Sequence, residues 1–226
     1  VETFNPLPLL PPAVAERMIR MTDAERAAYM AESAETVNEA QERAETALAM
    51  RRGYWTPRVP LEFREASTSD LTADQSGAQV QGWLASDSRV LVCQSETPGN
   101  GKSHAAYAVG NEAVVAGLWT IGYTVIDYLR ALRPSGDPEA TYATAIECDL
   151  LVLDDLGKER TNEWTTEQVH SVLDSRWGEG KRVVVTTNLT GAQMIDRYGA
   201  ALVDRIVDGM TFVQFTGPSR RKATPW

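Results

Sequence analysis

Three short apolar runs limit what this chain can fold into: RVLVCQ at 89–94, CDLLVLDD at 148–155 and RVVVTTN at 182–188. The middle run is apolar without alternation, the pattern of a strand covered on both faces, and the outer two also read as buried strands. Helical stretches lie between them (GKSHAAYAVGNEAVVAG, VIDYLRAL, TNEWTTEQVHSVLDSRW), and LWTIGYT supplies a further strand. Strand–helix alternation on this scale predicts a parallel α/β sheet flanked by helices. A chain of 226 residues has room for one such core and a small accessory unit.

The first third is different in kind. Thr22 and Glu25 form a Thr-x-x-Glu capping box, so a helix should start there. It is expected to run to Arg51 and Arg52, with Gly53 as its stop, and a shorter helix, PAVAERMIR at 12–20, precedes it. Met30, Ala34, Val37, Ala44 and Leu48 make a stripe too thin to build a core of its own. It suits either a self-packed helical hairpin or an arm that docks on a partner. The resulting division is 1–53 as a small helical N-terminal arm, 54–72 as a proline-marked connector and 73–226 as the α/β core, whose first helix spans about Asp74 to Leu84.

A net charge of -9 argues against a constitutively basic nucleic-acid coat. Two cysteines, Cys93 and Cys148, are too few for a disulfide framework or a zinc site and should pack as small apolar residues. The proline-broken opening lacks a basic n-region, and no apolar run approaches membrane-spanning length, so a cytoplasmic protein with no membrane partner is expected.

The loop after the first apolar run, SETPGNGKSH, carries the chemistry. A phosphate-binding loop needs glycines so that backbone N–H groups can turn inward on phosphates. It also needs lysine to reach the β/γ-phosphates and Ser/Thr to hold Mg²⁺, and the next helix adds its N-terminal dipole. Gly99, Gly101, Lys102 and Ser103 fill those roles, and the nucleotide-contacting segment is expected to be Pro98, Gly99, Asn100, Gly101, Lys102, Ser103 and His104. The second element is LLVLDD, a buried strand ending in two carboxylates. Asp154, with Ser103, would hold Mg²⁺, and Asp155 would orient or deprotonate an attacking water. A third strand ends at Asn188, where a polar side chain can meet water or the γ-phosphate. Glu96 stands where the P-loop pattern has its first glycine. A carboxylate roughly 8 Å from a phosphate costs about 2 kcal/mol at an effective dielectric of 20 and about 0.5 in water. A working but weakened ATP/ADP site follows, and Glu96→Gly should tighten it about threefold to thirtyfold.

TPGNGKSHAAYAV, DLLVLDDLGKERTNEW, KRVVVTTNLT and GAALVDRIVDG, in that order, resemble the DnaC/IstB-type AAA+ ATPases, and the connector TPRVPLEFREAS resembles the segment leading into their core. The resemblance covers about Tyr54 to the C-terminus. It implies a P-loop AAA+ parallel sheet and an ATP site shared between self-associating subunits. Asn188 then falls at sensor 1 and Arg205 at the arginine finger. Arg221 is the sensor 2 candidate, with Arg220 in place of the family's tyrosine. His104 follows the P-loop serine, as in the family, and should pack or hydrogen-bond locally. Asp155 stands where many AAA+ enzymes carry glutamate, so slow or partner-stimulated hydrolysis is expected.

The leading function the resemblance implies is an ATP-dependent loader. Its arm grips a hexameric replicative DNA helicase, and its core helps place that helicase on single-stranded DNA, itself bound weakly or conditionally. The alternatives are an IstB-like transposition helper ATPase on duplex DNA and a non-hydrolysing ATP-sensing adaptor. No basic, aromatic-interleaved run stands out for DNA. Arg130, Arg133, Lys158 and Arg160 are candidates, with solvated surface cations the commoner explanation.

Overall fold

The computed structural model describes residues 20–71 and 75–219. The PAVAERMIR helix, apart from Arg20, lies outside the described residues, as do Arg220 and Arg221. The chain divides into two compact units after Ala47.

Helix α1 (Asp23–Trp55) opens at the expected box: the Glu25 carboxylate accepts the Thr22 N–H at 2.8 Å, and the Thr22 hydroxyl accepts the Glu25 N–H at 3.3 Å. Most of its side chains up to Met50 are exposed. Ion pairs one turn apart, such as Arg43–Glu39, support it locally. Gly53 does not stop it. Nothing crowds that glycine, and the helix continues to Trp55, two residues before Pro57 forces a 3₁₀ turn, Thr56–Arg58. Trp55 is buried in a slot floored by Gly110 and Gly122, where a methyl group on either glycine would overlap the indole. Its Nε1–H donates to Asn111 Oδ1 at 2.7 Å. Gly122 is therefore small for packing reasons.

The core follows the expected alternation: α2 (Gln75–Trp83), β1 (Val90–Gln94), α3 (Lys102–Val115), β2 (Thr120–Thr124), α4 (Val125–Ala131), α5 (Pro138–Glu147), β3 (Leu150–Leu156), α6 (Glu163–Gly178), β4 (Arg182–Thr187), α7 (Gly191–Tyr198), α8 (Ala200–Val207) and β5 (Met210–Gln214). Five parallel strands lie in the order β2-β3-β4-β1-β5. Alternate residues of each strand feed two cores. Leu91, Cys93, Leu150, Val152 and Val184 pack under α3 with Trp55, Val80 and Trp83. Val90, Val92, Leu151, Leu153, Val183 and Val185 pack under α4, α6, α7 and α8. Both faces are covered, which is why the runs do not alternate in polarity.

Both cysteines are free and buried. Burial pushes the Cys93 thiol up to about 12, so it packs as a small apolar group, as expected. Among the described residues no helix is long and apolar enough to cross a membrane.

Candidate functional site

The carboxyl ends of β1, β3 and β4 meet at a cavity of about 320 Å³. Pro98, Gly99, Gly101, Lys102, Ser103, His104, Asp155 and Asn188 line it, eight positions that the sequence nominated. The loop leaving β1 turns through Gly99 (φ 81°) and Gly101 (φ 108°), conformations that favour glycine, and α3 begins at Lys102. The cavity thus sits at a helix N-terminus, where free N–H groups and the helix dipole favour an anion. Lys102 is buried. Burial pulls its ammonium below the usual lysine range, against the pull of Asp155, and neighbouring Lys158 depresses it further.

Asn100 takes a different part from the one expected. Its side chain is buried and turned away from the cavity, and its amide donates to Ser95 Oγ and, at 2.9 Å, to the Phe215 carbonyl. It fastens the loop to the chain leaving β5. Glu96 also departs from expectation. Asp155 is the sole non-glycine with positive φ among the described residues, so the backbone at Glu96 does not call for glycine. Its exposed side chain lines a separate apolar cleft beside Val92, Leu189 and Phe212. The carboxylate therefore belongs with the solvated limit of the Coulomb estimate, about 0.5 kcal/mol. Glu96→Gly is expected to tighten ATP by only about twofold in titration calorimetry, not by ten or more.

The two aspartates are held differently. Asp154 is buried, and the Thr186 hydroxyl donates to its Oδ1 at 2.6 Å, while the nearby Ser103 hydroxyl also favours its charged form. Burial raises the Asp154 carboxyl above its ordinary value, partly offset by those hydroxyls. A buried carboxylate beside a serine hydroxyl at a phosphate loop is an oxygen donor set that suits Mg²⁺, which keeps most of its waters and takes few protein ligands. Among the described residues no cluster of three or more His, Cys, Asp or Glu side chains offers a metal site built from protein alone.

Asp155 lies in the left-handed region (φ 62°), where β3 slips register against β4 between Leu153 and Leu156. Its N–H donates to Thr186 Oγ1 at 2.8 Å, so one threonine hydroxyl ties both acids. Its Oδ2 pairs with Lys158 Nζ at 2.7 Å. Asn188 lines the cavity while its amide donates to the Ser95 carbonyl at 2.8 Å, joining β4 to the loop entrance.

Sequence reasoning missed Thr186, Lys158 and the far wall of the cavity, which Glu62, Phe63 and Asp70 supply from the connector. His104 meets that wall, edge-on to Phe63 at 6.1 Å with Nε2 3.7 Å from Asp70 Oδ2. Lys158, a candidate DNA contact by sequence, lines the phosphate-loop cavity. Arg130 pairs with Asp127, and Arg133 lies over Trp164.

Arg205 is not brought to this cavity. It lies on α8 with Nη1 2.5 Å from Asp174 Oδ1, beside a second cavity that Val90 and Val183, at the starts of β1 and β4, help to line. That cavity sits at the opposite end of the sheet.

A five-stranded parallel sheet in this order, with a phosphate loop after β1 and paired acids near the end of β3, defines a P-loop ATPase core of the AAA+ kind. The model of the IstB-like ATP binding protein family matches residues 60–225, and the chain belongs to that family. Nucleotide binding comes with that membership. The chain is 34% identical over 132 residues to the uncharacterized protein YdaV of Escherichia coli K12, covering 56% of this chain and 53% of YdaV. It is 28% identical over 117 residues to the replicative helicase loader DnaC of the same strain, covering 50% and 48%. It thus spans about half the length of these curated relatives. The crystal structure of DnaI shares the fold at a TM-score of 0.62, with 22% identity, over 72% of this chain and 94% of that one.

Proposed function

We propose that the chain is an ATP-dependent loader of a hexameric replicative helicase, with an arm at 1–53 that engages the helicase and a core that binds Mg²⁺ and ATP. The observation that carries this reading is the convergence of Lys102, Ser103, Asp155 and Asn188 on one cavity with Asp154 buried behind it, in a chain related to a helicase loader.

In this scheme the loop N–H groups and Lys102 hold the phosphates, while Ser103 and Asp154 are the side chains that would hold Mg²⁺. The metal, when bound, would neutralise charge building on the phosphate oxygens. Asp155 accepts a proton from the attacking water, and its short side chain sets a slow basal rate. Asn188 orients that water from the end of β4. Phe63 and His104, in edge-on contact at the cavity, offer a ring-lined wall for the base. Single-stranded DNA is contacted weakly and in the assembled state.

Helix α1 exposes Met30 and Val37, two turns apart on one face, and supplies the docking stripe. Leu48 belongs to the core instead, packed against the cluster beneath α3. Co-purification with candidate hexameric helicases tests the reading. The Met30→Asp, Val37→Asp double variant is expected to lose at least tenfold in helicase capture while binding ATP as the parent does. A chain lacking residues 1–47 that captures helicase as well as the full chain would remove the arm from the proposal. The family match also favours a second reading, a transposition helper on duplex DNA, which requires tight duplex binding that falls steeply with salt.

A further inference from the structure

The segment that follows Asp155 is built to hold one lysine over the phosphate cavity. Asp155 turns the chain through the left-handed region, and Gly157 (φ 102°) turns it again, against Leu189, where a Cβ would collide with the leucine side chain. Lys158 N–H then closes the turn onto the Asp155 carbonyl at 3.1 Å. The next residue, Glu159, is a buried acid. Its Oε2 accepts the Gly157 N–H at 3.0 Å, and its Oε1 accepts Arg197 Nε–H at 3.0 Å and the Tyr198 hydroxyl. The turn is thereby fixed to the end of α7, and the half-exposed Lys158 side chain projects into the cavity that Lys102, Ser103 and Asn188 also line.

Lys158 there pairs with Asp155, the carboxylate assigned above to take a proton from water. While Nζ sits 2.7 Å from Asp155 Oδ2, that oxygen has its charge neutralised and a lone pair occupied. The terminal phosphate of a nucleoside triphosphate brings about two negative charges and three acceptor oxygens. It competes for the ammonium far better than one carboxylate does. A diphosphate lacks that group and leaves the pair intact.

We propose that Lys158 is a γ-phosphate ligand that guards Asp155: it blocks the acid until a triphosphate draws the ammonium away. This rests on the nucleotide-site reading above. Two features follow from one exchange. The site prefers ATP to ADP through Lys158, and Asp155 becomes available to water only beside a γ-phosphate.

Calorimetric titration of the full chain with Mg·ATP and with Mg·ADP tests it, using the parent, Lys158→Met, Lys158→Arg, Asp155→Asn and the Asp155→Asn, Lys158→Met pair. Lys158→Met is expected to bind ATP about tenfold more weakly and ADP within about twofold of the parent, the loss of one charge-assisted hydrogen bond. Lys158→Arg should retain most of the ATP preference. Asp155→Asn frees the ammonium, so ATP should bind several-fold tighter, and that gain should vanish in the Lys158→Met background. Equal losses for ATP and ADP would make Lys158 a support for the turn, and no change in either would make it a surface cation; both overturn the proposal while the site stands. A parent chain that binds neither nucleotide overturns the nucleotide site, and this proposal with it.

Discussion

Arg205→Ala is expected to leave ATP binding by the isolated chain unchanged and to remove ATP-dependent assembly and hydrolysis, the latter by about a thousandfold. The geometry separates the two effects. Arg205 lies at the end of the sheet where β1 begins and the phosphate loop at the end where β1 stops, and the five residues of β1 span roughly 16 Å. The guanidinium cannot serve its own nucleotide. It is half-exposed, held by Asp174 and lies 5.7 Å from the centre of the Trp177 ring, so as a finger it is expected to act on a neighbour's γ-phosphate. Such a contact is head-to-tail and generates a ring or spiral. Mixing Arg205→Ala with Lys102→Ala should restore part of the activity, because some mixed interfaces join an intact loop to an intact finger. Unaltered assembly and turnover in Arg205→Ala would reduce the residue to a surface ion pair of little worth.

The largest stability effect is expected at Arg176. Its side chain is fully buried, with no carboxylate among its hydrogen-bond partners, and its Nη groups donate to the carbonyls of Ala145, Cys148, Asp149 and Arg182. Burial lowers its ordinary value, yet the surrounding carbonyl dipoles suit a cation. Arg176→Met keeps the stem and orphans those acceptors, each costing about 1–3 kcal/mol when buried and unpaired. A total near 4 kcal/mol should lower the melting temperature by roughly 10 °C, read by calorimetry. The same α6 backbone carries Asp174, so the variant should also loosen the seat of Arg205. A shift of less than about 2 °C would mean that water replaces the guanidinium at these carbonyls.

What was legible in the sequence was what recurs locally. The buried strands β1, β3 and β4, the glycine loop and the paired acids each announce themselves within ten residues. Helix α5 was overlooked although Asp137 and Pro138 mark its start, and the Asp137 carboxylate does accept the Ala140 N–H. Strand β5 was overlooked because it is a sheet edge: of its residues only Val213 is buried, so MTFVQ lacks the apolar run of its neighbours. Glu159 could not be read at all, since its partners Arg197 and Tyr198 arrive through the fold. Lys158 looked like a solvated cation because its meeting with Asp155 depends on a left-handed turn that a non-glycine residue rarely adopts. Glu96 was judged by alignment to a glycine whose conformation this backbone does not use.

The strand order also dictates a timetable. β1 is hydrogen-bonded on one side to β4 and on the other to β5, with Val90 opposite Val183 and Met210. On the ribosome β1 therefore emerges long before either partner, an apolar ribbon with both edges open and prone to mispairing. β2 and β3 can pair meanwhile, but the phosphate loop gains its final shape only when Phe215 offers its carbonyl to Asn100. Parallel pairing across such separations is slow. Competence to bind nucleotide should thus be the last property to appear during synthesis or refolding, after both neighbours have closed on β1.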